Sequence, residues 1–348
     1  MRRAACLALP ALLLAGCAAA SQAPAQTDAL TIESRYPLEY AKQFTVDVCA
    51  GGYDLITIDG SRYLVVPEGT AAPADLDADI TVLQQPIQNI YLVSSSAMDP
   101  IISIGGLGAV ALSGTQAENW YLDAARTAME QGEIAYAGKY SAPDYETILS
   151  ADCGLAIENT MIYHTPEVKE QLEKFGVPVL VERSSYESDP LARMEWVKLY
   201  GILLGKTEEA ERVFDDAVQR IAPLLDEEPT GKTAAFFSIT SNNLATVRKG
   251  GDYVAKMIEL AGGSYVFADL TDSGSNLATV NISLEDFYAG ARDADVLLYN
   301  STIEGELRTM DELLAKCPML ADFKAVQSGN VWCTSQSLFQ QSMELPEL

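Results

Sequence analysis

Apolar and polar positions alternate with a period of two across residues 44–66, FTVDVCAGGYDLITIDGSRYLVV, and Gly51-Gly52 and Asp59-Gly60 punctuate the run. Alternate side chains of a strand face opposite ways, so this spacing predicts a β-meander. Residues 90–112 then read as a strand, a Ser-rich turn, a short helix and a Gly turn, and 116–131 as a helix stopped by Gly132. Tyr145–Leu149 is a short helix, Cys153–Ile157 a buried strand, Pro166–Phe175 a helix closed by Gly176, and Val177–Val181 another strand. The period changes in 190–225, where apolar residues recur every 3.6 positions. Thr207 followed by Glu208 and Glu209 marks a helix start, and a long helix is expected over 207–225. After a polar linker, Asp226–Lys232, strands are expected at 233–239, 295–299 and 329–334, with helices at 252–261, 283–290 and 309–316. Strands alternating with helices at this spacing imply βαβ units and parallel sheets.

The pattern therefore predicts an α/β protein of two Rossmann-like lobes joined by a single long helix. Residues 31–189 form the first lobe, 190–228 the linking helical segment and 229–348 the second lobe. Residues 340–348, QQSMELPEL, read as the start of a helix, so the expectation is a chain cut short there.

The first residues are not part of the fold. Arg2 and Arg3 precede an apolar stretch too short to span a bilayer, which is the shape of a signal peptide over 1–16. It ends Leu14-Ala15-Gly16-Cys17, which resembles the bacterial lipobox. That resemblance implies lipidation of Cys17, a flexible tether over 17–30, and an extracytoplasmic chain held at the cell membrane by its lipid alone.

Charge narrows the partners. The chain has 23 Lys+Arg against 49 Asp+Glu, a net charge of −26, which excludes nucleic acid as a partner. Loss of residues 1–16 removes Arg2, Arg3 and no acid, so −26 becomes −28. A body this acidic disfavours an anionic ligand unless its cleft is locally basic. A single histidine, His164, excludes multi-histidine metal sites and leaves one candidate for histidine catalysis; its place at a helix entry gives it a surface or capping role. Outside the leader, Cys49, Cys153, Cys317 and Cys333 can pair in an oxidising compartment; 317–333 and 49–153 are the pairings considered.

Several motif-like strings fail. Gly205-Lys206-Thr207 and Gly231-Lys232-Thr233 lack the upstream glycine of a phosphate loop. Gly106–Ala111 fits G-x-G-x-x-A but follows a helix rather than a strand. Asp75, Asp77 and Asp79 mimic an EF-hand start, but Ile80 stands where its glycine is required. There is no G-x-S-x-G.

Six segments in order resemble the class III substrate-binding proteins of bacterial ABC importers. They are Asn89–Val110, Tyr145–Ile157, Val168–Val181, Leu199–Ala210, Gly251–Phe267 and Ala325–Trp332, within about residues 87–335. The resemblance implies a ligand cleft between the lobes and a non-enzymatic role: capture of a ferric siderophore, cobalamin or haem, with no intrinsic cofactor. It further implies a monomer that delivers its ligand to an ABC permease and the ATPase behind it. The overall charge favours cobalamin or a ferric hydroxamate over an anionic catecholate. A sensor lipoprotein on the same scaffold is the alternative. An α/β hydrolase-type enzyme is a third reading, for which no nucleophile set is found.

Ligands of such folds lie beyond strand carboxyl ends. The loops expected at the cleft are Lys139-Tyr140, Glu158-Asn159, Ser184–Glu187, Asn242–Lys249, Ser273–Asn276 and Tyr299-Asn300. The ligand-binding candidates are Tyr140, Glu158, Asn159, Tyr186, Arg248 and Tyr299, since Tyr offers a flat amphipathic face and Arg a fork for carboxylate or phosphate. Arg193 and Trp196 are read as packing residues. By resemblance, acidic residues on each lobe meet the permease. Asp99 falls at the first-lobe position; Lys256 occupies the second, where Glu259 or Asp252 could substitute, and Glu259 is chosen.

Overall fold

The computed structural model describes residues 30–225, 228–271 and 278–347. The leader, Cys17, all of the tether before Leu30, and the Ser273–Asn276 loop lie outside the described residues. No helix among the described residues is long and apolar enough to cross a membrane.

Five strands open the fold: β1 (Ile32–Arg35), β2 (Phe44–Cys49), β3 (Tyr53–Ile58), β4 (Ser61–Val66) and β5 (Ile80–Gln84). They form one sheet in sequence order, antiparallel as far as β4, with β5 added parallel. Glu195 and Glu187 hold the segment between β1 and β2. Glu195 accepts from the backbone N–H groups of Glu39, Tyr40 and Ala41, and Glu187 from those of Lys42 and Gln43.

The first lobe's sheet is parallel throughout. Its strands are β6 (Ile90–Leu92), β7 (Val110–Ser113), β8 (Ala135–Tyr136), β11 (Ala156–Glu158) and β12 (Val179–Val181), in the order β12-β11-β6-β7-β8; β9 (Gly138–Lys139) and β10 (Ala142–Pro143) make a small hairpin beside it. The helices between are α1 (Met98–Ser103), α2 (Asp123–Glu130), α3 (Tyr145–Ser150) and α4 (Pro166–Lys174). The two-residue period sorts the core. Tyr91 and Val93 pack with Ile148 and Leu172, whereas Ile90 and Leu92 pack with α1 and the linking helix.

The linking segment holds two helices, α5 (Pro190–Leu204) and α6 (Thr207–Leu225), the second being the long helix expected over 207–225. Gly205 divides them: it caps α5 in the left-handed conformation, at φ +66°. The helices pack closely at Gly201, where a Cβ would stand 2.5 Å from that of Ala210. Nearly every residue of α5 is buried, including Arg193, Glu195 and Lys198.

The second lobe has six strands: β13 (Thr233–Ile239), β14 (Ala245–Arg248), β15 (Ser264–Tyr265), β16 (Thr279–Ile282), β17 (Val296–Tyr299) and β18 (Val331–Cys333). The order is β16-β14-β13-β17-β18, with β15 also on β13; β14 runs antiparallel to both its neighbours, β13 and β16, and the other pairs are parallel. Its helices are α7 (Tyr253–Leu260), α8 (Leu284–Ala291), α9 (Ser301–Glu304), α10 (Met310–Lys316) and α11 (Lys324–Ser328). Alternation again splits the faces: Ala235, Phe237 and Ile239 join the lobe's own core, while Ala234 and Phe236 face the linking helices.

The four cysteines among the described residues are free thiols, so neither of the pairings considered is formed. Cys49 and Cys153 belong to different apolar clusters, in the opening sheet and the first lobe. The Cys333 sulfur is engaged by the Leu307 N–H, and Cys317 is buried in the second-lobe core.

Candidate functional site

A cavity of about 630 Å³ lies between the lobes. Its first-lobe wall is built from three strand carboxyl ends. Ser94–Ser96 follow β6, Asn159 and Thr160 follow β11, and Glu182, Ser185, Tyr186 and Glu187 follow β12. Arg193 enters from the first turn of α5. The second lobe supplies Arg248 and Lys249 from the end of β14, and Asp252 and Tyr253 from the start of α7. Phe339, from the C-terminal segment, completes the lining.

The acids of this wall are already committed. Glu182 accepts from the Ser94 hydroxyl at 2.9 Å, the Ser96 hydroxyl at 3.0 Å and the Ser184 N–H at 2.6 Å. Glu187 accepts from the backbone of Lys42 and Gln43 and from the Trp196 indole N–H at 3.0 Å. Asp252 caps α7 through the Val254 N–H and faces Arg248 at 3.5 Å. Burial raises the Asp252 carboxyl, and the charge of Arg248 opposes that rise.

The arginines are not satisfied to the same degree. Arg193 is 3% exposed and Arg248 7%, yet the Nε of each is buried without a hydrogen-bond partner. The Arg193 guanidinium lies over the Tyr253 ring at 4.1 Å from its centroid. That of Arg248 sits among Phe236, Tyr253 and Phe339, at 5.5–5.9 Å. Aromatic faces fix the planes of these cations without using their N–H donors. Three acids, Glu182, Glu187 and Asp252, and three bases, Arg193, Arg248 and Lys249, line the cleft, which is thus balanced in charge within an acidic body and opposes an anion less than the net charge suggests.

Of the sequence candidates, Asn159, Tyr186 and Arg248 line this cavity. Tyr186 sits at the rim with the Arg183 guanidinium 4.5 Å from its ring centroid. The others lie elsewhere. Glu158 points away into the lobe: it is fully buried, neither carboxylate oxygen has a partner, and burial pushes its pKa up to about 8. Tyr140 packs half-buried against the apolar cluster around Tyr91 and Ile148. Tyr299 is buried in the second-lobe core, edge-on to Phe237, and lines a separate small pocket beside Met310 and Cys333. Strand-end tyrosines carry no sequence mark separating rim from core.

Asp99 is 8% exposed and accepts from the Met343 N–H at 2.7 Å, so the C-terminal segment covers the acid expected on the docking surface. Glu259 lies on an exposed face of α7, paired with Lys256 at 3.0 Å. Asp252, its possible substitute, faces the cleft. His164 is exposed at the end of a 3-10 turn.

Arg193 was missed as a cleft residue. The signal that could have found it is its company: Arg193, Glu195 and Lys198 are charged positions within an otherwise apolar run, and buried charge needs a reason. Tyr253 and Phe339 carried no comparable signal.

Two α/β lobes with a polar cleft between them make a scaffold suited to holding a small molecule. Residues 96–338 match the family model described as periplasmic binding protein, and the chain belongs to that family. An uncharacterized lipoprotein of Methanocaldococcus jannaschii is 25% identical over 301 residues, covering 82% of this chain and 69% of the relative. The fold is similar to that of the periplasmic haem-binding protein HutB of Vibrio cholerae, with a TM-score of 0.61 at 17% identity, over 75% of this chain and 96% of that one. It is also similar to an Fe3+-hydroxamate transport system structure from Saccharomonospora viridis, with a TM-score of 0.57 at 20% identity, over 75% and 91%. Family membership assigns a solute-binding role.

Proposed function

We propose that this protein is an extracytoplasmic lipoprotein, anchored through Cys17, that captures a metal chelate or tetrapyrrole bearing anionic groups and hands it to an ABC permease. The observation that carries the reading is the pair Arg193 and Arg248: two buried guanidinium groups, each with an unpartnered Nε, line one cavity in which Glu182 and Glu187 are bonded elsewhere and Asp252 meets Arg248 at only 3.5 Å. Leaving charged donors unsatisfied in a protein interior is costly, and a carboxylate, catecholate or propionate would relieve it. The cavity volume falls within the range of small-molecule sites, and Tyr186 and Phe339 offer flat faces to a planar or aromatic ligand. The bound metal would arrive as part of the cargo. Haem and anionic ferric chelates fit this chemistry better than the neutral or cationic ligands favoured by net charge alone. Asn159, Tyr186 and Arg248 are proposed ligand contacts, joined by Arg193.

The test is a tryptophan-fluorescence titration of residues 18–348 with haem, a ferric catecholate, a ferric hydroxamate and cobalamin. Trp196 reports on the site through its bond to Glu187. A saturable response to haem or the catecholate at concentrations where the other two are silent supports the reading. Binding of only the neutral or cationic members contradicts it.

A further inference from the structure

The chain crosses from the second lobe back to the first near its described end. Gln336–Phe339 and Ser342–Glu347 are short 3-10 turns that follow β18. From the second lobe they reach residues of the first lobe that are more than 200 positions away in sequence. The Gln340 side chain accepts from the Tyr121 N–H at 2.7 Å and donates to the Asn119 carbonyl at 2.8 Å. The Tyr121 hydroxyl donates to the Gln336 side chain at 2.8 Å. The Ser342 hydroxyl donates to the Ser96 carbonyl at 3.3 Å, and the Met343 N–H donates to Asp99 at 2.7 Å. Leu338, Met343 and Leu345 are buried in the cluster that also holds α1 and α5.

These contacts have two features of a built joint. Gln340 and Ser342 are polar yet buried, and each has its partners, so the crossing is more than apolar collapse. The joint also borders the cleft at both ends. Ser96, which receives Ser342, lines the cavity, and so does Phe339, next to Gln340 and 5.5 Å from the Arg248 guanidinium.

We propose that Gln336–Leu345 is an interlobe clasp, a second crossing beside the linking helices that fixes the separation of the lobes and seats Phe339 against Arg248. Gln340 is its main positioning residue, because one side chain closes two hydrogen bonds to the opposite lobe.

The experiment measures the interlobe distance in the unliganded protein. Spin labels are carried on an unnatural amino acid at exposed Glu146 in α3 and exposed Asp311 in α10, leaving the thiols untouched. Pulsed electron resonance of the parent protein is expected to give one narrow distance distribution. The double variant Gln340→Ala, Ser342→Ala is expected to give a broader one with an added longer population, at unchanged circular dichroism. Superimposable distributions from a folded double variant would overturn the clasp. Hydrogen exchange of the unmodified chain covers the case of a variant that fails to fold. The amides of Tyr121 and Met343 should exchange as slowly as those of α5, and fast exchange at both with α5 still protected would equally overturn it. Because both readouts need no ligand, their failure leaves the solute-binding reading untouched, and silence in the ligand titration leaves the clasp untouched.

Discussion

Arg193 and Tyr253 meet across the cleft: the guanidinium of the linking helix lies 4.1 Å from the centroid of the second lobe's first helical ring. The contact ties α5 to α7 and holds the cation flat at the cavity wall. A buried cation–π contact of this kind contributes about 1–2 kcal/mol. It holds a cation only 3% exposed in place while leaving its Nε unbonded.

Glu182 organises the opposite wall. Its carboxylate takes the Ser94 and Ser96 hydroxyls and the Ser184 N–H, which together shape two loops of the cavity. Glu182→Ala strands these donors, and a loss of about 2–3 kcal/mol is expected. Urea unfolding monitored by circular dichroism reads it. Glu182→Gln keeps an acceptor and should lose less.

Glu158 makes stability depend on pH. Burial without a partner raises its pKa to about 8, against about 4.3 in the unfolded chain. The folded state therefore holds a proton that the unfolded state has lost, and this contribution to stability falls as pH rises from about 4 to about 8, then levels. Glu158→Gln should abolish that slope, a difference on the order of 5 kcal/mol between the ends of the window. Denaturant midpoints at pH 5, 7 and 9 for both proteins check it.

How much of this was legible in the sequence follows from what each pattern encodes. The strands 233–239 and 177–181 and the helices near 145, 166, 252 and 309 were visible because period and caps are local properties. Strand ends gave the cleft loops at Asn159 and Tyr186, whereas Arg248, expected in a loop over Asn242–Lys249, reaches the cleft as the last residue of β14. Strand β16 was missed: TVNI is short and half-exposed, and its pairing with β14 is a tertiary event. Tyr299 and Tyr140 were misplaced because a tyrosine after a strand serves core and rim equally. Arg193 was hidden because helix periodicity assigns a face but not what lies opposite it. The covering of Asp99 came from Met343, 244 residues away, which no local pattern reports.

Asp99 provides a second pH signature. Burial raises its pKa to about 6, partly opposed by the Met343 N–H. Its neutral form is favoured in the fold, so the cost of ionising it accumulates between about pH 4 and pH 6 and is constant above. Asp99→Asn retains an oxygen for the Met343 N–H and removes that cost. The variant should be more stable than the parent by about 3 kcal/mol at pH 8, with the gap closing towards pH 4. Thermal unfolding across that range reads the crossing.

The central claim is that two buried arginines receive an anionic cargo. Isothermal titration of residues 18–348, parent against the double variant Arg193→Gln, Arg248→Gln, tests it directly with haem and a ferric catecholate as probes. Glutamine keeps much of the stem while removing the charge and the fork. The account predicts one-to-one binding by the parent to at least one probe and an affinity about 100-fold weaker or more in the folded double variant, the loss of two charge-assisted contacts. Equal affinity in the two proteins would contradict it.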